Sequence, residues 1–73
     1  MNPVEQLVFS YIRAMDELDR TGDPGYRKTS SMFRERLRRQ GVTVLDWTPG
    51  PGTVTARIKT NGEVSNLKLP LPR

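Results

Sequence analysis

The sequence predicts an α+β fold in which two N-terminal helices pack on a three-stranded antiparallel β-meander. Three features of the 73-residue chain lead there. Apolar residues recur at steps of three and four from Val4 to Leu18, the apolar period changes to two after Gly41, and Asn61-Gly62 separates two alternating segments near the C-terminal end.

The first helix is expected over residues 3–20. Asn2 is a capping residue, Pro3 suits the first helical position, and Glu5 is placed to close a capping box. Val4, Leu7, Val8, Tyr11, Ile12, Met15 and Leu18 form one apolar stripe at about 100° per residue, which marks them as core. Thr21-Gly22-Asp23-Pro24-Gly25 then combines a C-terminal glycine with turn chemistry, so residues 22–29 are read as a loop.

A short second helix is expected over residues 31–40, capped by Ser30 or Ser31 and ended by Gly41 in a left-handed conformation. Met32, Phe33 and Leu37 define its inward face. Arg34 and Arg38 share an outward face, Arg39 lies beside Glu35, and Arg36 is placed to lay its stem along the core flank.

Strands follow over residues 42–47, 53–59 and 64–69, with Thr48-Pro49-Gly50-Pro51-Gly52 as a loop between the first two. Asn-Gly favours a two-residue type I′ turn, because that turn needs positive φ at both central positions. With Asn61-Gly62 as the turn, Thr60 faces Glu63, Ile58 faces Ser65, Ala56 faces Leu67 and Val54 faces Leu69. Lys59 with Val64, Arg57 with Asn66 and Thr55 with Lys68 then take the wetter face. Turn chemistry and burial pattern therefore select the same register. The helix-one stripe is expected to pack on Val54, Ala56, Ile58, Leu67 and Leu69. Prolines at 70 and 72 make the last strand an edge, and the tail beyond it is expected to fray.

Composition narrows the function classes. The chain has no cysteine and no histidine, which removes disulfides, thiol nucleophiles, the usual imidazole base and nearly all zinc chemistry. Asp16, Glu17 and Asp19 cluster on helix one, but Arg13 and Arg20 accompany them and no phosphate-cradling loop does, so they read as ordinary helix ion pairs. TPGPG lacks the lysine and helix start of a phosphate loop. We therefore expect no catalytic residue, no metal and no cofactor. Twelve Lys and Arg against eight Asp and Glu leave a net charge of +4, which favours an anionic partner without requiring nucleic acid. No apolar run is long enough to span a bilayer and no signal-peptide pattern opens the chain, so a cytosolic, membrane-free monomer is expected.

What remains is binding, and the aromatic and arginine positions are its candidates. Phe9 lies about 120° from the centre of the helix-one stripe, beside Arg13, where an aromatic among mixed charges resembles a protein-binding hot spot. The competing reading is that helix two or the Tyr26 segment covers it. Tyr26, with Arg27 and Lys28, is a second candidate, against a role as a loop anchor on the core. Arg34 and Arg38 belong to a run of four arginines in six residues; as a pair they can clamp carboxylates or phosphates, or they can form a solvated face on which Glu35 pairs with Arg38 or Arg39. Trp47 shares a face with Leu45 in a strict period-two strand and is read as core, not as a stacking platform. A basic helix followed by strands and a Gly/Pro loop also resembles the recognition helix and wing of winged helix-turn-helix proteins. That gives a second function reading, direct nucleic-acid binding through Arg34, Arg38, Arg39, Arg57 and Lys59. A third core helix, which such folds usually have, is not visible in the sequence.

Taken whole, the cysteine-free chain that opens MNPVEQLVFSYIRAMDELDR and continues through the arginine-rich helix to the terminal strands resembles the small RNA-polymerase-binding transcription regulators of lytic Xanthomonas phages. The likeness covers the entire chain and rests on no local motif. It implies a non-enzymatic protein of the bacterial host cytoplasm that binds the N-terminal part of the largest subunit of host RNA polymerase, blocks sigma-dependent initiation and suppresses termination. It assigns no residues. Phe9, Arg13, Tyr26, Arg34 and Arg38 are our candidates for the protein contact.

Overall fold

Helix α1 spans Pro3–Thr21 and α2 spans Pro24–Arg39; strands β1 (Val42–Gly50), β2 (Thr53–Thr60) and β3 (Glu63–Pro70) follow as a meander in the order β1-β2-β3. The computed structural model describes residues 2–70, so the fraying expected of the tail falls outside it. This is the expected α+β arrangement, with helices against one face of an antiparallel sheet.

The start of α1 follows from its first residues. Asn2 Oδ1 accepts the Glu5 N–H at 2.8 Å, and the Asn2 N–H donates to Glu5 Oε1 at 3.2 Å, closing the capping box. At the other end the Gly22 N–H reaches the Leu18 carbonyl at 2.7 Å.

Helix α2 begins earlier than its sequence suggests. Residues 24–29, read as loop, are its first turns, and Ser30 and Ser31 are interior residues. Asp23 is the actual N-cap, its Oδ1 accepting the Gly25 N–H at 2.9 Å, and Pro24 occupies the first helical position. Ser30 is buried, and its hydroxyl donates to the Arg27 carbonyl at 2.9 Å. The inward face is Tyr26, Ser30, Phe33 and Leu37, spaced by four, three and four; Met32, assigned inward, is 44% exposed.

Strand β1 also differs, running to Gly50 with only Pro51-Gly52 left as its turn to β2. Pro49 is tolerated because β1 is an edge strand. Between Val44 and Asp46 the register shifts, with Val44 opposite Ile58 and Asp46 opposite Arg57. The unpaired residue is Leu45, and this bulge reverses the alternation that follows it. Trp47 therefore sits opposite Ala56 on the core face, its ring edge-on to Tyr11 at 6.0 Å, while Leu45 is 44% exposed. Its core role stands, and its shared face with Leu45 does not.

The β2–β3 register is the one derived from Asn61-Gly62, from Thr60 opposite Glu63 to Val54 opposite Leu69. Asn61 and Gly62 take φ 51° and 88°, as the turn requires. The buried core joins Val8 and Ile12 of α1, Leu37 of α2, Val42 of β1, Val54, Ala56 and Ile58 of β2 and Leu69 of β3. Each larger aliphatic side chain so buried contributes about 1.5–3 kcal/mol. Gly41 joins α2 to β1 at φ 75°, and a Cβ there would stand 2.9 Å from Asn61 Oδ1. A side chain there would displace the Asn61 amide and strain the backbone at positive φ.

Candidate binding surfaces on the helices

The five candidate residues fall into three places. Arg13 and Tyr26 meet in an open groove of about 330 Å³ between the helices, lined by Ser10, Ala14 and Glu17 from α1 and Thr29 and Phe33 from α2. Arg34 and Arg38 line a second cleft, of about 320 Å³, with Glu35 and the β1 residues Val42 and Thr43. Phe9 lines neither. It is partly buried and packs against the core.

The interhelical groove has a local origin. Ser10, Ala14 and Glu17 recur at four and three residues on one flank of α1, and Tyr26, Thr29 and Phe33 recur at three and four on α2. Where these flanks meet, Ser10 and Ala14 on α1 are small, and on α2 the short Thr29 stands between two aromatic rings. A notch between the helices results. Ala14 is buried at its floor. Phe33 has a second neighbour, the Arg36 guanidinium, 5.9 Å from its ring centroid, a cation–π contact that steadies the ring.

The groove's acid is already committed. Glu17 accepts a hydrogen bond from Arg20, which, with the charges of Arg20 and Arg13, holds its carboxyl below the usual range. Arg13 forms no ion pair among the described residues.

In the second cleft the arginines are unequal. Arg38 donates from Nε to Glu35 Oε2 at 3.0 Å and from Nη2 to Glu35 Oε1 at 2.8 Å, the two-pronged geometry that suits a carboxylate. That bond lowers the Glu35 pKa, and Arg39 approaches the same carboxylate at 3.9 Å. Arg34 has no ion-pair partner among the described residues. The solvated-face reading thus describes Arg38 and Arg39, while Arg34 retains its full donor set.

The sheet face turned away from the helices carries Thr43, Asp46, Thr55, Arg57, Lys59 and Lys68. Asp46 accepts from Arg57 Nη2 at 2.7 Å across the strands, and Lys59 lies opposite Thr43. No group of three or more His, Cys, Asp or Glu placed to hold a metal ion occurs among the described residues, and no described helix is long and apolar enough to cross a membrane.

The groove's α2 wall is not legible in the sequence, where Thr29 reads as loop, and neither is Ala14, because a lone alanine carries little hydropathy signal. The signal available was the 4-3-4 spacing of Tyr26, Ser30, Phe33 and Leu37 after Asp23-Pro24. No protein-family model matches the chain, and comparisons with curated proteins and with solved structures give no significant match.

Proposed function

We propose that this chain is a non-catalytic transcription regulator that binds the host bacterial RNA polymerase, with the α1–α2 groove as its contact surface and Arg34 as a flanking contact. The observation that carries a protein-binding reading is the meeting of Arg13, Tyr26 and Phe33 around one notch. Aromatic rings and arginines around a depression are the residue types that dominate protein-binding hot spots. Polymerase as the target, the N-terminal part of its largest subunit as the docking point, and inhibition of initiation with suppression of termination come from the whole-chain resemblance and complete the proposal.

Direct nucleic-acid binding is the second reading. It is supported by Arg34 and Lys59, which form no ion pairs among the described residues and flank Thr43 at the α2–β1 junction. It is weakened by Arg38, Arg39 and Arg57, whose guanidiniums already face carboxylates.

Capture from a nuclease-treated bacterial lysate separates the two. Polymerase is expected on immobilised wild-type chain, and Arg13→Ala with Arg34→Ala should weaken capture by a factor of about five or more, the 1 kcal/mol that marks a significant interface residue. Loss of polymerase after nuclease, together with duplex binding that falls linearly with log salt, would establish the second reading instead.

A further inference from the structure

The α1–α2 groove pairs a notch between two aromatic rings with Arg13, a cation that forms no ion pair among the described residues. Its volume of about 330 Å³ lies at the floor of the range of about 300–1,000 Å³ for small-molecule sites, so it fits one large side chain better than a cofactor. Tyr26 and Phe33 are seven residues apart on one face of α2, which at about 1.5 Å per residue puts them roughly 10 Å apart along the axis. That is room for one ring or branched aliphatic chain above Thr29, with Ser10 and Ala14 opposite.

Charge then selects what flanks that side chain. Glu17 is the groove's acid and is held by Arg20, whereas Arg13 lines the same groove with five donors and no described ion-pair partner. A cation beside the notch would be repelled by Arg13, while the nearby Glu17 carboxylate is already bonded to Arg20. A carboxylate there completes a guanidinium–carboxylate pair. We infer that the groove receives an internal, acidic segment of a protein partner, one large apolar side chain entering between Tyr26 and Phe33 and an Asp or Glu beside it bonding Arg13. This rests on the protein-binding reading above and adds the chemistry of the segment recognised.

The test uses blocked tripeptides, whose only carboxylates are side chains: acetyl-Glu-Phe-Glu-amide against the isosteric acetyl-Gln-Phe-Gln-amide. Each is titrated into the full chain while its backbone amide NMR signals are followed. The acidic peptide should shift the amides of Ser10, Ala14, Thr29 and Phe33, saturating in the millimolar range, and the neutral peptide should bind at least about threefold more weakly. Arg13→Gln should erase the difference between the peptides and leave the weaker, neutral-type binding. Ser10→Leu, at a half-buried position, should fill the notch and abolish both titrations. If that variant does not fold, the Arg13→Gln comparison alone decides. Equal affinity of the two peptides for the wild type, shifts centred on Arg34 and Thr43 instead, or undiminished binding to a folded Ser10→Leu chain would each overturn the inference. The peptides report the groove without polymerase. A failed titration therefore overturns the groove chemistry even if polymerase is captured, and failed capture with a positive titration overturns the target alone.

Discussion

All four joints between the described elements are two residues long, yet two of them, Gly22-Asp23 between α1 and α2 and Asn61-Gly62 between β2 and β3, are specified in different ways. At the hairpin, the turn residues and the alternation of the strands independently demand one register, because a slip by one residue would turn Ile58, Val54 and Leu69 to solvent. At the helix joint, Asp23 only caps. What holds α2 against α1 is side-chain contact further along, and that contact is incomplete, since the flanks leave a notch between Tyr26 and Phe33. A joint determined twice encloses a dry core here, and a joint determined once leaves a surface with room for a partner.

Substitutions along both segments test that contrast. The largest effect is expected at Ile58, 4% exposed and paired with Val44 on one side and Ser65 on the other. Ile58→Ala should cost about 2–5 kcal/mol. For so small a domain this is a large share of total stability, read as a drop in urea midpoint. An unchanged midpoint would remove the hairpin from the centre of the core.

Gly62→Val isolates the turn from the packing. A Cβ at Gly62 meets nothing within 4 Å, so the cost is backbone strain at φ 88° and not collision. About 1–3 kcal/mol is expected, with the β2–β3 pairing retained or rearranged locally. Thermal melting checks it, and a midpoint equal to wild type would mean that burial alone sets the register.

Asp23→Ala probes the helix joint and should be mildest, about 0.5–2 kcal/mol for loss of the N-cap. The sharper readout is amide exchange. Protection should fall at residues 25–29 and hold in β2, because the first turn of α2 can open without the core. Uniform loss of protection across the chain would make the two joints equivalent and break the comparison.

Much of this was legible in the amino-acid order alone, wherever one local chemistry admits one outcome. Asn2, Pro3 and Glu5 set the start of α1; the stripe set its buried side from Val4 to Ile12, though Met15 and Leu18 stand outside the core cluster; Asn61-Gly62 with period-two burial set the hairpin. The arginines on α2 were legible as a charged face, but not the division of labour within it, since Glu35 can pair with either Arg38 or Arg39 and only the fold shows Arg38 taking both oxygens.

Tertiary structure decided the rest, and in each case because the same residues serve two local ends equally well. Asp23-Pro24-Gly25 makes a turn or a helix start, and Gly25 costs a helix about 1 kcal/mol relative to alanine. The helix wins because Tyr26, Phe33 and Leu37 find α1 and the core to cover. Val42-Thr43-Val44 and Leu45-Asp46-Trp47 each alternate but out of phase with one another, and the bulge between them gives Trp47 the core face beside Tyr11 while Leu45 gives it up. The groove itself belongs to neither helix: Ser10 and Ala14 on α1 and Thr29 on α2 are unremarkable side chains until the two flanks meet, and a space between elements exists only once both are in place.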